Sequence, residues 1–349
     1  MRVSFLLFLC AALLATSAGA QVNLNVYADV DYRLDKAEGV KGQSAFSAPR
    51  LDLLFSGGSG RVSFLAETVL EVGLENSFGV DVERIEVGYL FGPWLRVRAG
   101  RFHTALGYYN DAFHHGMFFQ LPVERPTAVN FEDSGGLIPA HSIGLHFDGR
   151  FMLGAAGSIR YDVDVANGRG RTLDDVQNRF DVNANKAVNF RVRYEPAFLD
   201  GLILGVNLYV DQMPGDDTHG IPKMNEKIFG AHAAYQEGRV RFVAEAMLFQ
   251  HDEVATSASY QTLAGFVEAG YAFGDFVPYA LVERMSFPST MDPFFAASDT
   301  GALGSRTGAR LGLKWNLADS LALKAEVAHL FRDNGADLNS LATQVAFAF

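Results

Sequence analysis

The chain has 349 residues, 49% of them hydrophobic, with 35 glycines, 29 phenylalanines, a single cysteine and a net charge of −11. The acidic balance argues against a nucleic-acid surface, and one cysteine excludes a disulfide scaffold. Beyond residue 20 there is no run of about eighteen apolar residues, which excludes membrane-spanning helices.

Residues 1–20 read as a secretory signal peptide. Arg2 precedes an apolar run from Val3 to Leu14, and Ala18-Gly19-Ala20 supplies a small-residue cleavage site before an expected mature start at Gln21. The run is too short for a transmembrane helix. Leu9 ahead of Cys10 lacks the small residue of a lipoprotein site.

From there apolar and polar residues alternate in segments of about ten, to the final Phe349. In Leu24–Leu34, Leu24, Val26, Ala28, Val30 and Tyr32 share one face, while Asn25, Tyr27, Asp29, Asp31 and Arg33 share the other. The same period runs through 188–194 and 306–316. Sixteen such segments follow in order, near 23–34, 47–55, 61–71, 80–90, 95–102, 140–147, 151–165, 187–195, 202–212, 227–235, 240–251, 261–273, 277–286, 306–316, 321–331 and 339–349. The sixth is the weakest, being short and close to Pro139.

Connections alternate between short and long. The short ones are 56–60, 91–94, Asp148-Gly149-Arg150, 196–201, 236–239, 274–276 and 317–320, and their Gly, Pro and Asn/Asp chemistry suits tight reversals. Each lies between an even-numbered segment and the next odd one, so short turns gather at one end and long loops at the other. Phe55, Phe91, Trp94, Phe147, Phe151, Tyr194, Phe198, Tyr235, Phe242, Phe273, Phe276, Trp315, Phe347 and Phe349 fall near the short-turn end, where amphipathic rings form a girdle between hydrocarbon and headgroups. The expected fold is all-β: an antiparallel transmembrane β-barrel of about sixteen strands over residues 21–349, with fourteen or eighteen as alternatives. Lipid cannot hydrate backbone amides, so the sheet must close on itself. Sixteen strands leave an aqueous lumen.

With these features the chain resembles the bacterial outer-membrane porins, of general-diffusion and phosphate-selective type, over essentially the whole of 21–349. The leader, the rhythm of short turns and long loops, and the terminal strand Leu341–Phe349 carry the resemblance. The stretch Gly100-Arg101-Phe102-His103-Thr104-Ala105-Leu106-Gly107-Tyr108 is similar to the region preceding the third loop of porins. The acidic Pro-Glu-Phe-Gly loop motif of enterobacterial general porins is missing, and seven lysines stand against 22 arginines, unlike the lysine-rich phosphate channels. These departures leave the solute open.

The resemblance implies a cell outer-membrane location reached through the periplasm, periplasmic short turns and extracellular long loops. It implies a water-filled channel for passive diffusion of small hydrophilic solutes and ions, with a solute-specific channel (phosphate, another anion, or sugar) or a structural or adhesive barrel as alternatives. Its partners would be outer-membrane lipid, the assembly machinery that reads Phe349, and two further copies in a homotrimer. No interface stripe for such a trimer stands out. No cofactor and no nucleic acid are expected.

The connection from His103 to Ala140 is the longest and least strand-like, and long loops are usually functional or disordered. By resemblance it folds into the lumen; an outside cap is the other placement. Inside, Asp111, Glu124, Glu132 and Asp133 would face Arg50, Arg84, Arg96 and Arg98 across a constriction, creating a transverse field. Alternatively each arginine pairs with a wall carboxylate such as Asp52 or Glu86. Inward acids including Asp29, Glu67, Asp162, Glu245 and Glu326 are interspersed with the arginines, so weak selectivity is expected.

His103, Asp111, His114, His115 and His141 invite a metal reading. Their spacing matches no standard template, and hydrogen-bonded or hydrated histidines without metal are expected. No Gly-x-Ser-x-Gly elbow occurs, and His141 and Ser142 are neighbours on a strand, facing opposite sides. An enzyme is not expected. Gly168-Arg169-Gly170-Arg171, followed by Asp174 and Asp175, reads as a solvated turn with locally paired charge.

Overall fold

The computed structural model describes residues 21–37, 41–47, 50–72, 77–114, 117–131, 134–175, 181–297 and 304–349. The expected leader, 1–20, lies outside the described residues. The strands are β1 (Gln21–Ala37), β2 (Gln43–Phe46), β3 (Arg50–Ser59), β4 (Val62–Val72), β5 (Phe78–Gly92), β6 (Leu95–His103), β7 (His141–Met152), β8 (Gly157–Ala166), β9 (Ala187–Pro196), β10 (Leu202–Met213), β11 (Met224–Glu237), β12 (Val240–Glu253), β13 (Ser259–Tyr271), β14 (Phe276–Ser286), β15 (Arg306–Ala318), β16 (Leu321–Arg332) and β17 (Leu338–Ala348).

From β3 onward each strand pairs antiparallel with the next, and β17 returns to β1 from Tyr27↔Ala348 to Ala37↔Leu338. β2 and β3 lie along the same flank of β1, at Tyr32↔Phe46 and Asp29↔Arg50. They share one wall position, so the cylinder has the expected sixteen positions and no open edge. Val26 N–H donates to the Phe349 carbonyl at 2.7 Å, and Phe349 N–H donates back at 2.9 Å. That exchange ties the chain's last residue into the seam. In hydrocarbon each unpaired amide would cost several kcal/mol, which is the physical demand closure meets.

Alternation sorts the side chains as expected. On β10, Leu204, Val206 and Leu208 are exposed on the outside, while Asn207, Tyr209 and Asp211 are buried within. At the short-turn end, Phe91, Trp94, Phe151, Phe198, Phe273, Phe276, Trp315 and Phe349 are exposed, whereas Phe55, Phe147, Tyr194, Tyr235, Phe242 and Phe347 are half-buried; Phe276 stacks on Trp315 with centroids 5.3 Å apart.

Two local expectations are corrected. The segment near 140–147, expected to be weak, is the twelve-residue strand β7, because Pro139 stops short of it. Asp148-Gly149-Arg150 is not a turn: these residues pair with Asp162, Tyr161 and Arg160 inside the β7–β8 ladder. The reversal comes at Leu153–Ala156, where Gly154 takes φ +60°, a left-handed conformation that glycine adopts without a Cβ clash.

The interior is also drier than simple alternation implies. The inward positions of β10–β14 include Tyr209, Met224, Ile228, Met247, Phe249, Phe266 and Met285, all buried. They pack against Leu106, Tyr109, Phe113, Leu137 and Ile138 of the 104–140 loop, and against Phe294 and Phe295. On these strands the inward phase mixes apolar residues with buried polar ones such as Asn207, Glu245 and His251.

Candidate functional site

The described residues of the 104–140 loop, counted from the strand ends as the third long connection, lie inside the cylinder. Its neck is closed by Thr104 N–H donating to the Ala140 carbonyl at 3.0 Å, and Asn110 Nδ2 donates to both of those residues' carbonyls at 3.0 Å. Beyond the neck the loop is held by inward side chains of successive strands. Asp164 accepts from Ala105 N–H at 3.1 Å, Asn189 donates to the Ala105 carbonyl at 2.9 Å, and Arg191 donates to the Gly107 carbonyl at 2.7 Å. Glu245 accepts the amides of Tyr108 and Tyr109 at 2.9 and 2.5 Å. On the far wall Glu283 accepts from Thr127, Arg310 donates to the Glu124 carbonyl, and Lys324 donates to the Pro122 carbonyl. The strands hold the loop mostly by its backbone, so wall polarity rather than loop side-chain identity sets its course.

The loop is also folded on itself. α1 (Tyr109–Ala112) is one turn, and beyond it the Arg125 guanidinium donates to the carbonyls of Phe113, His114 and Val129 at 2.7–2.9 Å. Arg125 is 2% exposed and lies 4.8 Å from the Phe131 ring centroid. A buried guanidinium is tolerable only with such full hydrogen bonding. Complete burial pushes the Tyr109 hydroxyl well above the ordinary phenol range, so it stays neutral.

Beside the loop, β5–β9 form a polar wall with two aligned rungs. The first is Arg96↔Asp148↔Asp162↔Arg191, in which two adjacent carboxylates lie between two guanidinium groups. The second is Arg150↔Arg160↔Arg193, three like charges in a row. Glu195 binds Arg150 at 2.7 Å and Arg160 at 2.6 Å, and Asp162 binds Arg193 at 3.0 Å. A recess of about 300 Å³ opens here, lined by Arg84, Arg96, Arg98, Arg150, Arg160 and Arg193 together with Glu86, Asp111, Asp148 and Asp162. Side chains of Arg96, Arg150 and Arg160 are 41–43% exposed, whereas their partners Asp148 and Glu195 are about half as open. The lumen therefore meets guanidinium groups with carboxylates behind them.

The residues named from sequence divide into separate places. Arg84, Arg96, Arg98 and Asp111 all line this recess. Arg50 does not: it pairs with Asp29 at 3.2 Å beside Met117 and Phe118. Glu124 lies at the far wall, ion-paired with Arg33. Glu132 and Asp133 lie outside the described residues. The arginines pair with wall carboxylates, Arg84 with Glu67 and Arg98 with Glu86 at 2.9 Å. Asp111 faces a residue not singled out from sequence, Arg191, at 2.5 Å. Arg191 was legible as the polar phase of its strand, but nothing local announces which loop it meets.

Two further readings change. Arg169 is not a solvated turn residue: it is 7% exposed and pairs with Glu226 at 2.9 Å. Glu226 is 3.0 Å from His251, whose other ring nitrogen is 2.6 Å from Asp292, which caps α2 (Pro293–Ala296). This buried chain ties two long loops to the inner wall. At Arg171 the amide donates to Asp175 at 3.1 Å and the guanidinium to the Gly215 carbonyl at 3.2 Å. Of the histidines, His103, His114 and His141 come together, with one ring nitrogen of each within 4.8 Å of the others. Asp111 lies elsewhere, on Arg191, and His115 is outside the described residues. Glu83 joins the cluster through a β-bulge. β4 pairs Glu67↔Arg84 and then Thr68↔Val82, so Glu83 and Arg84 both turn inward. The Glu83-Arg84 doublet in an otherwise alternating strand is the sequence signal for this.

No protein-family model matches the chain, and no curated protein matches it. Solved structures do resemble it. An anion-selective porin from Comamonas acidovorans superposes with a TM-score of 0.67 at 13% identity, over 95% of this chain and all of that one. The outer-membrane channel DcaP of Acinetobacter baumannii gives 0.63 at 12% identity, over 96% and 99%. OmpT, an outer-membrane protein of Vibrio cholerae, gives 0.60 at 13% identity, over 96% and 99%. The fold of this chain is the closed antiparallel barrel of the bacterial outer-membrane porins.

Proposed function

We propose that the protein is an outer-membrane channel for passive diffusion of small hydrophilic solutes and ions, with a modest preference for anions. The observation that carries this is the like-charge row Arg150–Arg160–Arg193, open to the lumen at Arg150 and Arg160 and flanked by Arg96, inside a closed cylinder and next to an inward loop. Like charges directly opposite one another on a sheet are destabilising, so a purely structural wall has no use for them. In a lumen they attract anions and orient polar solutes. Their backing carboxylates keep that preference weak.

Outward hydrophobic strands and the aromatic girdle support residence in lipid. Export through the periplasm, recognition of Phe349 by assembly machinery, and a homotrimer are parts of the same proposal. A catalytic role is not proposed. Ser142 Oγ is 2.8 Å from Thr104 Oγ1 and His141 faces Glu83, so the two do not work as nucleophile and base.

The test is recording of refolded protein in planar bilayers under a salt gradient. The proposal predicts discrete steps of ohmic conductance and a reversal potential displaced toward that of the anion. Conductance that one solute saturates would favour a specific channel instead. A bilayer that stays closed would favour a structural barrel.

A further inference from the structure

We propose that His103, His114 and His141 form a binding site for a divalent transition-metal ion of the zinc, nickel or copper class, which pins the inward loop to the barrel wall. His103 ends β6 and His141 begins β7, and the two are direct partners in the ladder. Partners of this kind project from the same face, here into the lumen. The third member comes from the loop. His114 follows α1, its Nδ1 is 3.2 Å from Asn110 Oδ1, and its carbonyl is held by Arg125 at 2.8 Å.

The donor set is that of a borderline divalent ion. Imidazole nitrogens suit zinc, nickel and copper, whereas calcium and magnesium take oxygen ligands. His103 and His114 stack with centroids 3.5 Å apart, and His141 is 4.5 Å from His114. Two imidazolium ions so close would repel, while neutral rings sharing a cation do not. Carboxylates flank the group: Glu83 Oε2 is 2.6 Å from His141 Nε2 and 3.8 Å from His114 Nε2, and Glu67 Oε2 is 3.6 Å from His103 Nε2. Such groups orient ligating imidazoles and balance the ion's charge. Tetrahedral coordination at 2.0–2.1 Å brings nitrogens to about 3.4 Å from one another. Rotation of His114, carried on the loop rather than on a strand, closes the remaining gap.

The site crosses from the β6–β7 wall to the loop, so occupancy fixes the loop's position close to its neck. The test titrates the detergent-refolded full chain with Zn²⁺ by calorimetry and with Co²⁺ by visible absorption. Expected are one equivalent per chain, an intense tetrahedral Co²⁺ spectrum, and a Zn²⁺-dependent rise in melting temperature. His114→Asn and His141→Asn abolish all three, Glu83→Gln weakens binding by ~10–100-fold, and His219→Asn on an exposed loop changes nothing. Circular dichroism of His114→Asn confirms the fold, since this residue lies outside the ladder. No binding by the wild type, or equal binding by the triple His→Asn variant, overturns the proposal.

Discussion

Arg191 shows how much one side chain can hold. It is 1% exposed, binds Asp162 on the neighbouring strand at 3.0 Å and Asp111 on the loop at 2.5 Å, and donates to the Gly107 carbonyl. Removing one partner of a buried ion pair leaves an uncompensated charge and costs ~3–5 kcal/mol. Arg191→Ala is therefore expected to lower the urea midpoint of refolded protein strongly, and a midpoint unchanged from wild type would remove this residue from its structural role. The exposed arginines behave differently. Arg96→Ala, Arg150→Ala and Arg160→Ala combined should move the reversal potential toward cation preference while leaving the unfolding free energy in urea within ~1–2 kcal/mol of wild type. Arg84→Ala should shift it less, because that side chain is only 20% exposed and is taken up by buried Glu67. Equal shifts from Arg84 and from the exposed trio would contradict the assignment of the lumen surface.

Among the elements, the inward loop depends on one backbone position. Gly107 has φ +66°, and a Cβ there would come within 2.1 Å of Glu245 Oε2, the carboxylate that accepts the Tyr108 and Tyr109 amides. Gly107→Ala is expected to displace the loop and raise single-channel conductance or its open-state noise, with the strand content unchanged by circular dichroism. Unaltered conductance would mean that the loop does not restrict the path. Residue periodicity shows why this element was hard to read. Strands such as β10 and β15 declare themselves through Leu204/Asn207-type alternation, since a period of two needs only neighbours in sequence. The loop's course depends on Asp164, Asn189, Glu245 and Lys324, which are scattered through the chain and acquire meaning only after closure. The same holds for His103, His114 and His141. The register puts two of them together, but the third arrives through folding of a loop with no periodicity. Asp148-Gly149-Arg150 misled for the opposite reason: its turn-like composition is local, whereas its role in two charged rungs is not.

At the scale of the whole molecule, closure and seam follow from the demand that every wall amide be paired. The even number of positions, the segregation of short turns and the girdle were therefore legible from spacing alone. The terminal strand carries a further expectation. Deleting Phe349 removes both seam hydrogen bonds with Val26, so the truncated chain is expected to refold into lipid vesicles more slowly and in lower yield, followed by the shift in gel mobility on heating. Wild-type yield would show that the seam forms without that residue. Mixed burial inside the cylinder was less legible, because apolar inward residues such as Met247 and Phe249 alternate with Glu245 and His251 on a strand that is apolar outside as well.

In the proposed channel, water and solutes pass the arginine-lined recess beside the inward loop. Residues 21–349 contain no cysteine, so Arg96→Cys places a single thiol in that recess. Recording one open channel while a bulky, negatively charged thiol reagent is added tests the claim most directly. A single drop in conductance per channel that persists on washout and is reversed only by reductant is the predicted result. Conductance that stays constant while mass spectrometry shows the thiol modified would contradict it.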